Sequence, residues 1–150
     1  MKEKIKKYIK EALVFIVLFF ILSTAVSLYR TNSMQIGDGV CRDGVQVVYF
    51  WATWCPVCKV TSPNIERISK EFDVLGISVR SGSEEEVESY MQKRKLHYRN
   101  QNDQEGRMAE QYGINVFPTV VFCKDGDVKM AEAGYMSTFG LWLRTWFLSL

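Results

Sequence analysis

Two cysteines separated by two residues, Cys55-Pro56-Val57-Cys58, are the side chains of this sequence best suited to chemistry. They follow a β-branched and aromatic run, Val45–Trp51, which predicts a buried strand, and they open a segment with helical spacing. At the first turn of a helix, unpaired N–H groups and the helix dipole stabilise a thiolate, so Cys55 would be the attacking sulfur. Cys58 would lie one turn further along, close enough to resolve a mixed disulfide. The pattern therefore predicts thiol–disulfide exchange, with Cys55 and Cys58 as catalytic residues.

A zinc half-site and a static disulfide are the two other roles open to such a pair. A structural zinc site needs two further Cys or His ligands at metal spacing. The remaining Cys and His residues, Cys41, His97 and Cys123, do not have that spacing. A static disulfide would not need the junction of a strand and a helix. We therefore expect no metal ion, and no cofactor other than the redox-active disulfide Cys55–Cys58.

The elements that must position the pair follow from apolar periodicity and from turn residues. The sequence predicts four strands, over residues 45–51, 74–79, 119–123 and 128–133. It predicts helices over 56–72 with a kink at Pro63, after a cap at Ser83, over 104–112 and over 139–148. This order of elements favours an α/β fold, a mixed sheet with helices on both faces. In the last helix, Trp142, Leu143, Trp146 and Phe147 are spaced for the core face.

The first 30 residues differ from the rest in charge and hydropathy. They carry a net charge of +4, whereas residues 31–150 carry 13 basic and 15 acidic side chains. Eleven apolar residues run without a break from Ala12 to Leu22, and a helix from Tyr8 to Tyr29 would be about 33 Å long, enough to cross a hydrocarbon core. Because five lysines precede this run, the positive-inside rule predicts that residues 1–10 are cytoplasmic.

We therefore expect residues 1–30 to be a basic cytoplasmic stub and a single transmembrane anchor. A cleaved signal peptide, with Ser23-Thr24-Ala25 as the cleavage region, is the alternative. Both readings export the remainder, as a linker over 31–44 and a folded domain over 45–150. The predicted location is the inner (cytoplasmic) membrane, with the catalytic domain periplasmic or otherwise extracytoplasmic. Since the exported part is slightly acidic, nucleic acid is not expected as a partner.

Beyond the cysteine pair, several short motifs resemble thioredoxin-like proteins in order and spacing over residues 45–150. They are Phe50–Lys59, Pro63, Tyr112-Gly113-Ile114, Phe117-Pro118-Thr119, Lys124-Asp125-Gly126 and Gly134. The resemblance implies a thioredoxin-like fold in which Pro118 is a cis-proline that faces the active-site disulfide. It also implies that the substrate-binding residues are Trp54, Pro56, Val57, Phe117, Pro118 and Thr119.

The anchor and the segment Tyr135–Arg144 are similar to TlpA-like, membrane-anchored protein disulfide oxidoreductases of the suppressor-of-copper-sensitivity D type. That resemblance implies exported protein thiols and disulfides as substrates and a transmembrane thiol reductase as the electron donor. Two alternatives stay open. One is a copper(I)-binding or copper-buffering module, since soft thiolates bind Cu(I). The other is a reductase in cytochrome c maturation, although Pro118-Thr119 stands where such reductases have Pro-Glu.

The sequence departs from the thioredoxin-like pattern at two interior positions. Tyr49 stands where many thioredoxins have a buried Asp, and Gly76 stands roughly where they have the partner Lys. The proton of Cys58 must therefore use another route. By the resemblance, Cys41 and Cys123 meet at the end of the sheet that is remote from the cysteine pair. They are expected either as a structural disulfide, which an exported compartment permits, or as two separate thiols.

Overall fold

The computed structural model describes residues 8–15, 17–18, 21–22, 25–26 and 39–150. Residues 39–150 form one sheet of five strands with four helices. In chain order the elements are β1 (Val45–Trp51), α1 (Pro56–Ile68), β2 (Asp73–Val79), α2 (Glu84–Lys93), β3 (Arg99–Asp103), α3 (Arg107–Gln111), β4 (Thr119–Lys124), β5 (Asp127–Ala133) and α4 (Thr138–Ser149).

The strand order across the sheet is β3-β2-β1-β4-β5. The first three strands are parallel, while β4 is antiparallel to both β1 and β5. The mixed sheet of an α/β fold is therefore confirmed. The connections from β1 to β2 and from β2 to β3 both lead toward the same edge of the sheet. Since such connections are right-handed, α1 and α2 lie on the same face of the sheet.

The central strand β1 is buried on both faces, and its sequence is apolar without a break from Val47 to Trp51. Tyr49 and Trp51 point into the cluster formed with α1, α2 and α4, whereas Val48 and Phe50 point into the cluster that includes α3. The two clusters hold β1 rigidly, and its carboxyl end carries the cysteine pair. We call that end of the sheet the active-site pole, and the end where residues 41–45 join the sheet the opposite pole.

Strand β3 is not among the four strands that the sequence predicts. Its sequence, Arg99-Asn100-Gln101-Asn102-Asp103, contains no apolar residue. It lies at the edge of the sheet, bonded only to β2, and its burial alternates along its length. Strand signals based on buried apolar residues do not detect such an edge strand. Its presence also corrects the expected start of α3, which begins at Arg107 and not at residue 104.

Helix α1 differs from expectation in where it ends, and helix α4 differs in which of its sides is buried. Helix α1 continues through Pro63 and ends at Ile68, not at residue 72. In α4 the buried positions are Leu141 and Thr145, and Trp142 packs against the core as expected. Trp146 and Phe147 are exposed, so the expected core face was wrong at these two residues. Because nearly every residue of α4 is apolar or small, periodicity alone could not distinguish its two sides.

The predicted transmembrane segment, from Tyr8 to Tyr29, falls partly outside the described residues. Within it, residues 8–15, 17–18, 21–22 and 25–26 are helical. Over the parts of the chain that the structure describes, no helix has both the length and the apolar character needed to cross a membrane. Residues 31–38 of the expected linker also lie outside the described residues.

Candidate active site

The cysteine pair sits where β1 ends and α1 begins. A tight turn follows Trp51, in which the Cys55 N–H donates to the Ala52 carbonyl at 3.2 Å. Cys55 is the N-cap of α1 in an extended conformation, and Pro56 occupies the first helical turn, where no N–H partner is needed. Cys55 and Cys58 form a disulfide with a Cα–Cα distance of 5.2 Å. The predicted strand-to-helix junction is therefore present.

The same junction favours a thiolate at Cys55 when the disulfide is open. The Cys58 N–H already donates to Cys55 Sγ at 3.1 Å, and the first turn of α1 contains no acidic residue. An unpaired backbone donor and the positive end of the helix dipole both stabilise negative charge at this position. Cys58, one turn further in, has only 1% of its surface exposed, against 4% for Cys55. Cys55 is thus the sulfur closer to solvent.

The rim of the site is apolar and open to solvent. Trp54 is 56% exposed and Val57 is 39% exposed, and Pro56 between the cysteines is also exposed. Two bonds to the loop after β2 hold this rim: the Trp54 indole N–H donates to the Arg80 carbonyl, and the Thr53 N–H donates to the Ser81 hydroxyl, both at 3.0 Å. The rim is therefore a fixed apolar surface beside Cys55.

The loop before β4 completes the site from the other side. The peptide bond between Phe117 and Pro118 is cis, as the resemblance implied. The Phe117 ring meets the Trp54 ring edge to face, with centroids 5.8 Å apart. Thr119 differs from the expectation of a substrate-facing side chain: it is 1% exposed, and its hydroxyl donates back to the Val116 carbonyl at 2.8 Å. Because Thr119 begins the interior strand β4, its side chain packs inward.

An open cleft of about 760 Å³ adjoins the rim. Trp54 and Phe117 form its wall nearest to the disulfide, and Arg80, Glu110 and Val116 line its outer part. The cleft adjoins the cysteine pair through Trp54 and Phe117 and is not lined by the cysteines themselves.

Beneath the disulfide lies a buried group of hydroxyls. Ser62, one turn after Cys58, donates to the Cys58 carbonyl at 2.8 Å. The Tyr49 hydroxyl lies 3.0 Å from Ser62 Oγ, where either hydroxyl can donate, and it also donates to the Cys58 carbonyl at 3.4 Å. Burial, the largest effect, raises the pKa of Tyr49 far above its usual value. Tyr49 is therefore a neutral donor at physiological pH, and it cannot accept a proton from Cys58.

The position where many thioredoxins have a buried Lys is also occupied by a different residue, Gly76. Gly76 pairs with Tyr49 across β1 and β2. A Cβ atom at Gly76 would lie 2.7 Å from the Tyr98 ring and 2.8 Å from the Asn100 side chain. Tyr98 packs edge-on against Tyr49, and burial raises the pKa of its hydroxyl as well. Aromatic rings and neutral hydroxyls thus replace the acid and amine of the thioredoxin pattern.

Two residues of the site were not identified from the sequence, Ser62 and Ser81. The spacing of Ser62 four residues after Cys58 was a usable signal, because residues i and i+4 share a helix face. Ser81 lies 28 residues from the loop that it holds, and no local pattern connects the two. The sequence did place Trp54, Phe117 and the cysteine pair together.

The remaining two cysteines form a second disulfide at the opposite pole. Cys41 and Cys123 are joined, with Cα atoms 5.6 Å apart and a sequence separation of 82. Cys123 is completely buried in β4 and pairs with Gln46 near the start of β1. Of the two alternatives that the sequence left open, the structure contains the disulfide.

Within the described residues, no group of three or more His, Cys, Asp or Glu side chains is arranged to hold a metal ion. The chemistry that the described site offers is that of its two sulfurs.

Comparison with known proteins agrees with this geometry. The family model described as thioredoxin-like matches residues 43–128. A thioredoxin-like protein of Haemophilus influenzae is 31% identical over 96% of both chains. The thiol-disulfide oxidoreductase ResA of Oceanobacillus iheyensis is 27% identical over 59% of this chain and 48% of its own length.

Solved structures share the fold. A secreted disulfide oxidoreductase of Mycobacterium tuberculosis, homologous to DsbE of E. coli, superposes with a TM-score of 0.64 at 24% identity, covering 71% of this chain and 84% of its own. StoA from Bacillus subtilis superposes with a TM-score of 0.61 at 20% identity, covering 68% and 82%. The extent of the family match, the full-length relative and the Cys55–Cys58 disulfide together assign this chain to the thioredoxin-like family of thiol–disulfide oxidoreductases.

Proposed function

We propose that this protein is a membrane-anchored thiol–disulfide oxidoreductase that reduces disulfides of exported proteins and is itself kept reduced by a transmembrane thiol carrier. The observation that carries the proposal is the placement of Cys55 at the N-terminus of α1, beside the exposed Trp54 and next to the loop of cis-Pro118. In this arrangement Cys55 lies beside the exposed rim with 4% of its surface exposed, while Cys58 lies deeper, at 1%.

The reaction follows from the difference between the two sulfurs. The Cys55 thiolate attacks one sulfur of the substrate disulfide, that S–S bond breaks, and one substrate thiolate leaves while a mixed disulfide forms. Cys58 then loses its proton and attacks Cys55 Sγ. The second substrate sulfur leaves as a thiolate and takes up a proton. The substrate gains two electrons, and the Cys55–Cys58 disulfide is formed.

The substrate would lie across the apolar rim. Trp54, Pro56 and Val57 contact it from the side of α1, and Phe117 contacts it from the side of the cis-proline loop. The backbone next to Pro118 is suited to pair with an extended substrate segment. Thr119 acts here through its position in β4 and not through its side chain, which is bonded to Val116.

The anchor and the direction of electron flow belong to the same proposal. The lysines before Ala12, together with the apolar run to Leu22, support an N-terminal anchor with residues 1–10 in the cytoplasm. The Cys41–Cys123 disulfide suits an oxidising compartment outside that membrane. In such a compartment a reducing dithiol needs a supply of electrons, and a carrier in the same membrane is the nearest source.

The narrower assignment, to the TlpA-like proteins of the suppressor-of-copper-sensitivity D type, rests on the segment Tyr135–Arg144 and on the anchor. Part of that segment supports the fold, since Asn64 donates to the Met136 carbonyl at 2.9 Å and Ser137 caps α4. Titration of the reduced protein with Cu(I) against a competing chelator separates the oxidoreductase from a copper-buffering module, which would bind Cu(I) tightly at the cysteine pair.

The reduction potential of the Cys55–Cys58 pair tests the direction of the reaction. We expect a value near about −270 mV, as in reducing thioredoxins, whereas a value near about −120 mV would make the protein an oxidant and contradict the proposal. Protein with Cys41→Ala and Cys123→Ala is the matched sample, because it leaves only one disulfide to titrate. Extraction of the full chain from membranes by alkaline carbonate would contradict the anchor independently of the potential.

A further inference from the structure

Helix α4 presents an unusual surface for the outside of a folded domain. Among its 12 residues, Thr138–Ser149, the only charged side chain is Arg144. Arg144 turns back toward the sheet and pairs with Glu132 at 3.3 Å. The buried positions are Leu141 and Thr145. The core therefore occupies one narrow side of the helix and leaves its other side to solvent.

That other side is apolar along its whole length. Phe139 is 68% exposed, Trp146 is 41% exposed and Phe147 is 68% exposed. Leu143 between them is half-buried, and Leu150 after the helix is 75% exposed. Positions 139, 143, 146, 147 and 150 share one side of a 3.6-residue helix. We call these five residues the outer face of α4. Continuous exposed apolar faces on soluble domains mark contact with a membrane or with another protein.

The helix runs from the active-site pole toward the opposite pole. Its first residue, Thr138, comes four residues after Gly134, whose N–H donates to the Pro118 carbonyl at 2.8 Å, and the Thr138 hydroxyl donates to Asn64 in the second half of α1. Further along, the Trp142 indole N–H donates to Glu71, which follows the end of α1, at 3.0 Å. Trp146 and Phe147 come one turn later. They therefore lie toward the pole where Arg42 and Gly44 bond to the β4–β5 turn and where the chain arrives from its N-terminal segment.

The chain itself limits what can cover this face. Residues 30–44 connect the apolar N-terminal run to β1, and 15 residues span at most about 50 Å when fully extended. An anchored domain would thus stay close to the bilayer, and the tether would give that surface an effective concentration in the millimolar range. Even a weak affinity for lipid is then sufficient.

The size and composition of the face favour lipid over a second copy. Its three aromatic side chains, at 68%, 41% and 68% exposure, offer about 270–440 Å², since each contributes about 150–250 Å² at full exposure. A stable protein interface buries about 800 Å² on each partner. Trp and Phe are the side chains that prefer the boundary between headgroups and acyl chains. The described residues of the N-terminal run are themselves exposed, Phe15 by 78% and Leu22 by 64%.

We propose that the outer face of α4 lies in the headgroup boundary of the membrane to which the chain is anchored; this rests on the anchor in the proposed function. The helix then lies along the membrane surface. The active-site pole, which is nearer to the start of α4 than to its end, is carried beside the bilayer and not far above it. This orientation presents Cys55 to a thiol carrier embedded in the same membrane.

Trp146 provides the readout in the full chain, reconstituted in phosphatidylcholine vesicles with the domain outside. Tryptophan emission is compared between plain vesicles and vesicles whose lipids carry bromine near the headgroups, which quenches tryptophan at the boundary. We expect the bromolipids to quench the tryptophan emission of the wild type. Trp146→Phe should largely remove this quenching, whereas the control Trp54→Phe, at the active-site pole, should leave it in place. Phe147→Glu should also remove it, whereas Val60→Glu, which adds one charge at the comparably exposed Val60 of α1 (59% against 68%), should not.

Equal Trp146 emission in plain and brominated vesicles, from protein that is retained in them, would overturn the proposal. Cross-linking of two copies through the outer face in the absence of quenching would also overturn it, in favour of a dimer. Two separate readouts distinguish this failure from failure of the proposed function. Loss of the protein from vesicles in alkaline carbonate would refute the anchor and this inference together. Normal disulfide exchange in detergent, without quenching in vesicles, would refute this inference alone.

Discussion

The disulfides Cys55–Cys58 and Cys41–Cys123 lie near opposite ends of β1. The first spans three positions in sequence, and its outer sulfur caps a helix and accepts a backbone N–H. The second spans 82 positions, and its Cys123 lies inside the sheet at zero exposure. The two bonds have the same chemistry, so the difference between them comes from their surroundings. A helix N-terminus and an open rim favour a nucleophilic role for one sulfur, whereas burial in a sheet favours a structural role for the other bond.

The largest effect that this comparison predicts is on disulfide exchange. Cys55→Ser should lower the exchange rate by at least about 10⁴-fold, because a hydroxyl at neutral pH does not replace a thiolate nucleophile. The double variant Cys41→Ser with Cys123→Ser should keep the rate within about twofold. Reduction of a protein disulfide under saturating donor thiol measures both. Equal losses in the two variants would show that the opposite pole takes part in the chemistry.

For the free energy of unfolding, loss of the Cys41–Cys123 disulfide should cost more than loss of the Cys55–Cys58 disulfide, which is the reverse of the order expected for the exchange rate. Loop-closure entropy assigns about 4.5 kcal/mol to the bond that closes 82 positions and about 2 kcal/mol to the bond that closes three. Urea unfolding of the variants Cys41→Ala with Cys123→Ala, and Cys55→Ala with Cys58→Ala, gives the two free energies of unfolding. A larger loss from the active-site pair would contradict the assignment of Cys41–Cys123 as the structural bond.

The hydroxyls beneath Cys58 should make stability fall at alkaline pH. Burial keeps the pKa of Tyr49 well above its usual value of about 10, while in the unfolded chain it ionises near that value. Below pH about 10 Tyr49 is neutral in both states, and its full contribution to the free energy of unfolding is present. At higher pH the unfolded chain ionises first, so the free energy of unfolding falls by up to about 1.4 kcal/mol per pH unit. Tyr98 shifts in the same direction. Between about pH 9 and pH 11 the free energy of unfolding of Tyr49→Phe should fall less steeply than that of the wild type, by about 0.7 kcal/mol per pH unit on average. Slopes that match the wild type would contradict this account.

The smallest expected effect is that of Tyr49 on the exchange rate. Because Tyr49 is a neutral hydroxyl beside Ser62, Tyr49→Phe should slow exchange by less than about fivefold, whereas loss of a general base costs about 10²- to 10⁴-fold. Stopped-flow measurement of the second step, in which Cys58 displaces the substrate, is the decisive readout. Ser62→Ala is the companion variant, since it removes the bond to the Cys58 carbonyl. A loss of 100-fold or more in Tyr49→Phe would restore a proton-transfer role to this position.

The predictable parts of the fold were those with strong local signals. The strand Val45–Trp51 and the helix cap at Ser83 were placed correctly because one short segment contains the whole signal. Strand β3 was missed because its stability comes from backbone bonds to β2 and not from apolar side chains. The core face of α4 was misjudged because both sides of that helix are apolar, and only contact with the sheet distinguishes them.

By itself the sequence determined the identity of the reacting sulfurs, their order along the chain and their placement after a buried strand, since all three depend on neighbouring residues. It also indicated that Tyr49 and Gly76 depart from the thioredoxin pattern. Only the tertiary structure brought Ser62 under Cys58, turned Thr119 inward and joined Cys41 to Cys123. The same holds for the outer face of α4. These features depend on contacts between segments far apart in the chain, and such contacts exist only after the sheet has formed.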